Sequence, residues 1–114
     1  MTQNCAFTAI NLGGEGETQG VINQQPPFAL SPGWASCIHG HTLEQLANQG
    51  LDFLICRNQK LPIQDDSMAL VITNSVPIDT VVLGSPGVQT SEVHRVLAPG
   101  GRWVHDGNVR YTKP

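Results

Sequence analysis

Charge is scarce in this chain. Asp, Glu, Lys and Arg make up 13% of its 114 residues and the formal net charge is -3. That leaves no global basic field for nucleic acid, so such a partner would need a local patch. Cysteine is scarce as well. Cys5, Cys37 and Cys56 are odd in number and lack C-x-x-C spacing, which indicates neither a disulfide framework nor a zinc site. All three read as reduced, with Cys5 and Cys56 packed as small apolar side chains. No apolar run approaches the ~20 residues of a membrane span, and residues 1–5 lack a basic stretch followed by an apolar one. The expectation is a soluble domain without an export signal of its own, which, if it acts elsewhere, must be delivered as part of something larger. Internal repeats and low-complexity tracts are missing too.

What is present suits one compact domain over residues 1–114. The chain is 39% hydrophobic, with 12 Gly and 8 Pro, enough for a single core with many tight turns. Residues 5–12 form an apolar run closed by Gly13-Gly14-Glu15-Gly16-Glu17, which predicts a buried strand ending in a glycine-rich loop. Residues 20–23 look like a second strand. The link between them is too short for the usual crossover of a dozen or more residues, which predicts that the second strand is non-adjacent, antiparallel or an extended edge segment. Pro26-Pro27 and Ser31-Pro32-Gly33 mark a loop. Thr42 and Gln45 match a capping box for a short helix to Asn48, stopped at Gly50, with Leu43, Leu46 and Ala47 on its apolar face.

Residues 51–56 and 68–73 read as the third and fourth strands, the latter apolar on both faces as a central parallel strand should be. Val88, Val93, Val96 and Leu97 have helical spacing, with Glu92, His94 and Arg95 on the outer face, His94 solvated there, and Pro99-Gly100-Gly101 as the stop. Residues 102–105 read as the fifth strand, and Asp106-Gly107 signals a turn into an antiparallel strand over 108–112.

In an open α/β sheet, ligands bind outside the C-terminal strand ends. That rule points to residues 11–17, 57–60, 74–79 and 105–108. His105 beside Asp106 stands where acid-base work is possible, and Arg110, Tyr111 and Lys113 make a small basic, aromatic tail suited to phosphate and a base. The competing account is an edge strand carrying ordinary polar residues. His39 and His41 precede the first helix without a third ligand at metal spacing, and read as loop histidines; no metal site is expected.

The segments Leu61-Pro62-Ile63-Gln64-Asp65-Asp66-Ser67-Met68-Ala69-Leu70-Val71 and Glu92-Val93-His94-Arg95-Val96-Leu97-Ala98-Pro99-Gly100-Gly101 resemble the second half of class I S-adenosylmethionine-dependent methyltransferases. The resemblance implies a reduced Rossmann-like, methyltransferase-like α/β fold: a mostly parallel sheet, few short helices and an antiparallel C-terminal edge strand. It places a cofactor loop at Asn11, Gly13, Gly14, Glu15 and Gly16, a ribose contact at Asn23 or Gln24, and an adenine contact at Arg57 or Asn58. Asn stands where the loop's opening acid is usual, and Glu15 and Glu17 where further glycines are. Neutral amides bond hydroxyls without the charge assistance that makes such contacts strong. Thr73-Asn74-Ser75-Val76-Pro77 corresponds partly to an N-P-P-Y-like element, with the stacking aromatic missing; a plain strand-to-loop turn is the other reading.

The run Asn11-Leu12-Gly13-Gly14-Glu15-Gly16-Glu17, Ser31-Pro32-Gly33-Trp34, Leu61-Pro62, residues 72–79 and the ending from Gly101 to Pro114 resemble the small C-terminal methyltransferase-like domains of bacterial polymorphic toxins of the Rhs and contact-dependent inhibition types. That implies an effector released into the target-cell cytoplasm from a larger secreted protein, acting on a nucleotide or nucleic acid and neutralised by a cognate immunity protein. Asn74, His105, Asp106 and Tyr111 are the candidate catalytic residues. An active S-adenosylmethionine-dependent methyltransferase and a non-catalytic binding module are the alternatives. A cluster of His105, Asp106, Arg57 and Tyr111 around one cleft would favour the effector over the binding module.

Overall fold

The computed structural model describes residues 7–18, 20–37, 39–82 and 84–114; Cys5 lies outside them. The strands are β1 (Ala9–Leu12), β2 (Ile22–Gln25), β3 (Phe53–Ile55), β4 (Met68–Thr73), the two-residue β5 (Val81–Val82) and β6 (Ser85–Pro86), β7 (Leu97–His105) and β8 (Asn108–Thr112). The helices are α1 (Leu43–Asn48) and α2 (Thr90–Val96), with a 3-10 turn at Pro27–Leu30. Six strands form one sheet in the order β3-β2-β1-β4-β7-β8. All neighbours are parallel except the final β7–β8 hairpin. No described helix is long and apolar enough to cross a membrane.

The β1–β2 pairing corrects the expectation for the second strand. β2 lies beside β1 and parallel to it, Ile10 opposite Ile22 and Leu12 opposite Gln24. A helix-bearing crossover needs a dozen residues or more, but a bare one has only to retrace a four-residue strand, roughly 13 Å. The nine residues 13–21 can span up to about 30 Å. The link holds because β2 itself pins it. Gly13 N donates to Gln24 Oε1 (3.0 Å), Gly16 N donates to Asn23 Oδ1 (3.2 Å), and Gln25 Nε2 donates to the Gly14 carbonyl (2.9 Å). Three consecutive amide side chains thus replace the missing helix.

The core lies mostly on one face. Ile10, Leu12, Val71 and Trp103 pack with Leu61, Ile63, Val88, Val93, Val96 and Leu97 in one buried cluster. Along β4, Met68, Val71 and Ile72 are buried while Ala69 is exposed and Leu70 half-buried, so the strand is not covered fully on both faces. α1 starts with the expected capping box: Gln45 N donates to Thr42 Oγ1 (3.1 Å) and Thr42 N to Gln45 Oε1 (2.9 Å). Only Leu46 of its apolar face is buried.

The outer face of α2 is not a solvated one. Arg95 forks onto Glu92 and reaches the carbonyls of Leu61 and Ile63 and the Asp65 carboxylate, all at 2.7–3.0 Å. These bonds raise the guanidinium pKa, the Glu92 contact most of all, against the lowering effect of burial. His94 stacks on Tyr111, ring centroids 3.7 Å apart. The helix ends at Val96, and β7 begins at once with Leu97. Pro99-Gly100-Gly101 therefore lies inside the strand, in the register shift between Met68 and Leu70. Asp79 caps α2 from a distance, its carboxylate accepting from Thr90 N (2.9 Å) and Thr90 Oγ1 (2.6 Å), which lowers its pKa.

Candidate functional site

The strand order reverses between β1 and β4, and the crevice of an open α/β sheet lies at that point, beyond the C-terminal strand ends. Here those ends are Leu12 and Thr73. Three consecutive residues leaving β4 build the site. Thr73 Oγ1 meets His105 Nδ1 at 2.8 Å, Asn74 Nδ2 donates to Glu17 Oε2 at 3.1 Å, and Ser75 N donates to Asp106 Oδ1 at 2.7 Å. One turn thus touches the glycine loop on one side and the β7–β8 corner on the other. Ser75 holds a left-handed φ of 53° there, an uncommon conformation for a serine.

On the loop side Glu17 is the hub. Its carboxylate accepts from Asn11 Nδ2 (2.8 Å), Asn74 Nδ2 (3.1 Å) and Glu15 N (2.8 Å). Partial burial pushes its pKa up, but the donors from Asn11, the backbone and Asn74 outweigh that and hold it below the ordinary range. The sequence offered Glu17 only as a displaced glycine. Its signal was the pairing of an acid with Asn11 six residues earlier, both bordering one tight loop.

The glycines serve internal packing. A Cβ on Gly14 would come within 2.6 Å of Asn11 Cγ, and one on Gly13 within 2.8 Å of Val76 Cγ1. The four backbone N–H groups of residues 13–16 are all taken by the chain's own acceptors: Gln24 O and Oε1, Asn11 O, Glu17 Oε1 and Asn23 Oδ1. Asn23 also donates to the Asp52 carbonyl (3.3 Å). Asn11 is fully buried, and its Oδ1 has no protein partner.

On the corner side a chain of bonds runs inward to outward. Trp103 Nε1 donates to Thr73 Oγ1 (2.9 Å), Thr73 meets His105 Nδ1, and His105 Nε2 lies 3.1 Å from Asp106 Oδ2. Trp103 and Thr73 are buried, whereas the Asp106 side chain is 51% exposed and that of His105 23%. Asp106 and Gly107 both have positive φ, the geometry of a tight hairpin turn.

The remaining candidates lie apart from this junction. Tyr111 pairs with Trp103, two residues short of His105, and is held by the His94 stack. Arg57 follows β3 on the far edge, four strand spacings from β7, or about 19 Å at ~4.8 Å per strand. Asn58 donates to the Pro86 carbonyl (3.3 Å). His105 and Asp106 therefore form a cluster without Arg57 or Tyr111. Cys56, half-buried against the core with burial pushing its thiol up to about 11, stays a protonated packing residue.

His39 and His41 sit 5.6 Å apart on the α1 side, and no described group of three His, Cys, Asp or Glu residues could hold a metal. Two surface concavities lie away from Leu12 and Thr73. One of about 510 Å³ lies between the 3-10 turn and α1, and one of about 730 Å³ is lined by Ile22, Leu51 and Phe53. The second also includes Gly16 of the glycine loop; neither includes residues 73–75, His105 or Asp106.

Comparison with protein-family models, curated proteins and solved structures finds no match to this chain.

Proposed function

We propose that this chain is an effector domain on a reduced Rossmann-like, methyltransferase-like scaffold that acts on a nucleotide or nucleic acid at the β1–β4 crevice. The scaffold reading is supported by the order β3-β2-β1-β4-β7 with an antiparallel β8, since 3-2-1-4 is the arrangement of doubly wound nucleotide-binding sheets. Arg57 and Tyr111 stand outside the cluster that would have favoured an effector over a binding module, so one observation carries the activity: residues 73–75 join a buttressed His–Asp pair to a carboxylate hub on the same edge. An acid-base pair next to hydroxyl acceptors suits proton transfer at a sugar or a base. Delivery into the target-cell cytoplasm from a larger secreted protein, and a cognate immunity protein as partner, belong to the same proposal.

S-adenosylmethionine transfer is the weaker reading, because the loop amides and the Asn23 and Gln24 side chains are already bonded within the chain. Two experiments test the choice. Calorimetric titration with S-adenosylmethionine is expected to show no binding at millimolar donor; micromolar binding, about -8 kcal/mol, would restore the methyltransferase. Expression inside bacteria is expected to arrest growth, with His105→Ala and Asn74→Ala relieving the arrest while remaining folded. Arrest undiminished in both variants would remove the site.

A further inference from the structure

We infer that the proton acceptor this corner turns outward is Asp106, with His105 as its fixed N–H donor and Thr73 and Trp103 as positioning residues that hold the ring in place. The inference rests on the acid-base reading of the same corner and assigns the roles within it.

The assignment follows from which groups can only give and which can only take a proton. The Trp103 indole only donates, so Thr73 Oγ1 accepts from it at 2.9 Å. An ionised carboxylate only accepts, so at 3.1 Å from Asp106 Oδ2 the neutral His105 ring carries its proton on Nε2. Nδ1 is then a bare acceptor, and the Thr73 hydroxyl 2.8 Å away donates to it. Every bond points the same way, from the buried indole to the exposed carboxylate.

Two consequences follow. Neutral His105 has neither nitrogen free: Nδ1 faces a fully buried threonine and Nε2 is committed to Asp106. Asp106 keeps capacity, because each of its oxygens accepts one bond here, Oδ1 from Ser75 N and Oδ2 from His105, and a carboxylate oxygen has two lone pairs. Its side chain is also more than twice as exposed as that of His105. In the step this allows, a substrate O–H or N–H bond breaks, its electron pair stays on the substrate atom, and the proton bonds to an Asp106 oxygen. The resulting neutral acid still accepts from Nε2–H and from Ser75 N.

The test has a spectroscopic arm that needs no activity. In ¹⁵N-resolved NMR, at a pH where the ring's own nitrogen shifts show it neutral, His105 is expected as a single Nε2–H tautomer with a slowly exchanging proton. Thr73→Val removes the donor to Nδ1 and should loosen the ring, seen as shifted His105 signals and faster exchange of the Nε2 proton with the tautomer kept, and Thr73→Ser should restore the wild-type spectrum. An Nδ1–H ring in the wild type overturns the inference, as does a mixed population there. The Thr73→Ser and wild-type spectra decide the matter even if the valine variant does not fold.

The functional arm compares inducer doses for half-maximal growth arrest. Asp106→Asn is expected to cost about 10²- to 10⁴-fold. His105→Gln, which keeps an N–H toward Asp106, should cost at least about tenfold less, since general-base loss at that position would reach the same range. Equal losses would return the base to His105. Wild-type chain that causes no arrest would remove the effector reading, while the spectrum still judges the tautomer on its own.

Discussion

The two halves of the sheet are held by different physics. In β4 and β7, with α2 behind them, the inward residues are Val71, Trp103, Val93, Val96 and Leu97, each no more than 1% exposed, and area removed from water supplies the stability. In β1 and β2 the interior includes Asn11, Asn23, Gln24 and Gln25, none more than 5% exposed. Burying such amides costs free energy unless each is bonded, so this half stands on a bonding pattern. The comparison shows why the candidate chemistry sits where the halves meet: residues 73–75 leave the dry half on a rigid strand and end among polar groups that are already oriented.

The comparison breaks first, and by the largest amount, at Trp103. Trp103→Ala removes the largest side chain of the dry half, and a loss of about 3–5 kcal/mol is expected in denaturant unfolding. The indole also donates to Thr73, so the His105 signals should shift in the same variant. A loss under about 1 kcal/mol would mean that β7 is not held by apolar burial.

Arg95 comes next. It ties α2 to the segment before β4 through the carbonyls of Leu61 and Ile63 and the Asp65 carboxylate, and is held within the helix by Glu92. Charged hydrogen bonds contribute about 1.5–3 kcal/mol each in well-ordered settings. Partial exposure discounts that here, so Arg95→Ala should cost about 2 kcal/mol in all. Arg95→Lys should recover less than half of the loss, because an ammonium cannot reproduce the fork. Full recovery would reduce the contact to simple charge pairing.

How much of this was legible follows from which interactions are local. The continuous apolar run of β4, the capping box at Thr42, the Asp106-Gly107 turn and β8 were readable because each depends on neighbours in sequence. The helix-free parallel crossover was not. The general rule on crossover length assumes a helix, and nothing local says that Asn23, Gln24 and Gln25 would fold their amides onto residues 13–16. For the same reason Arg95 read only as an outer-face residue, since its partners other than Glu92 lie about thirty residues away. At the site, the pairing of His105 with Asp106 was visible as adjacency. Thr73, Trp103 and Glu17 were hidden, because their roles exist only after β4, β7 and the glycine loop are brought together.

In the amide half, Gly14→Ala sets the scale of the bonding pattern. The added methyl would meet Asn11 Cγ at 2.6 Å and the Asn23 Oδ1 atom closer still, so one of two buried amides must leave its partner. A cost of about 1–3 kcal/mol is expected, with hydrogen exchange rising first at Gly16 N, the donor to Asn23. Exchange that rises equally in β7 would show that the halves unfold together and that the boundary has no energetic meaning.

The smallest effect is the pH dependence at Glu17. Its folded pKa lies below the ordinary 4.5, so the stability it contributes is fully present above that value and is lost as pH falls through the folded pKa. Glu17→Gln keeps the shape and removes the titration, so the stability difference between wild type and variant should be constant above pH 4.5 and shrink below it. Glu92 and Asp79 also titrate low, but both remain in the variant and cancel in the difference. A difference that grows on acidification would mean that the folded protein favours protonated Glu17. The Asn11 and Asn74 amides would then not be acting as donors to a charged carboxylate, and the hub joining the loop to β4 would have to be built from other bonds.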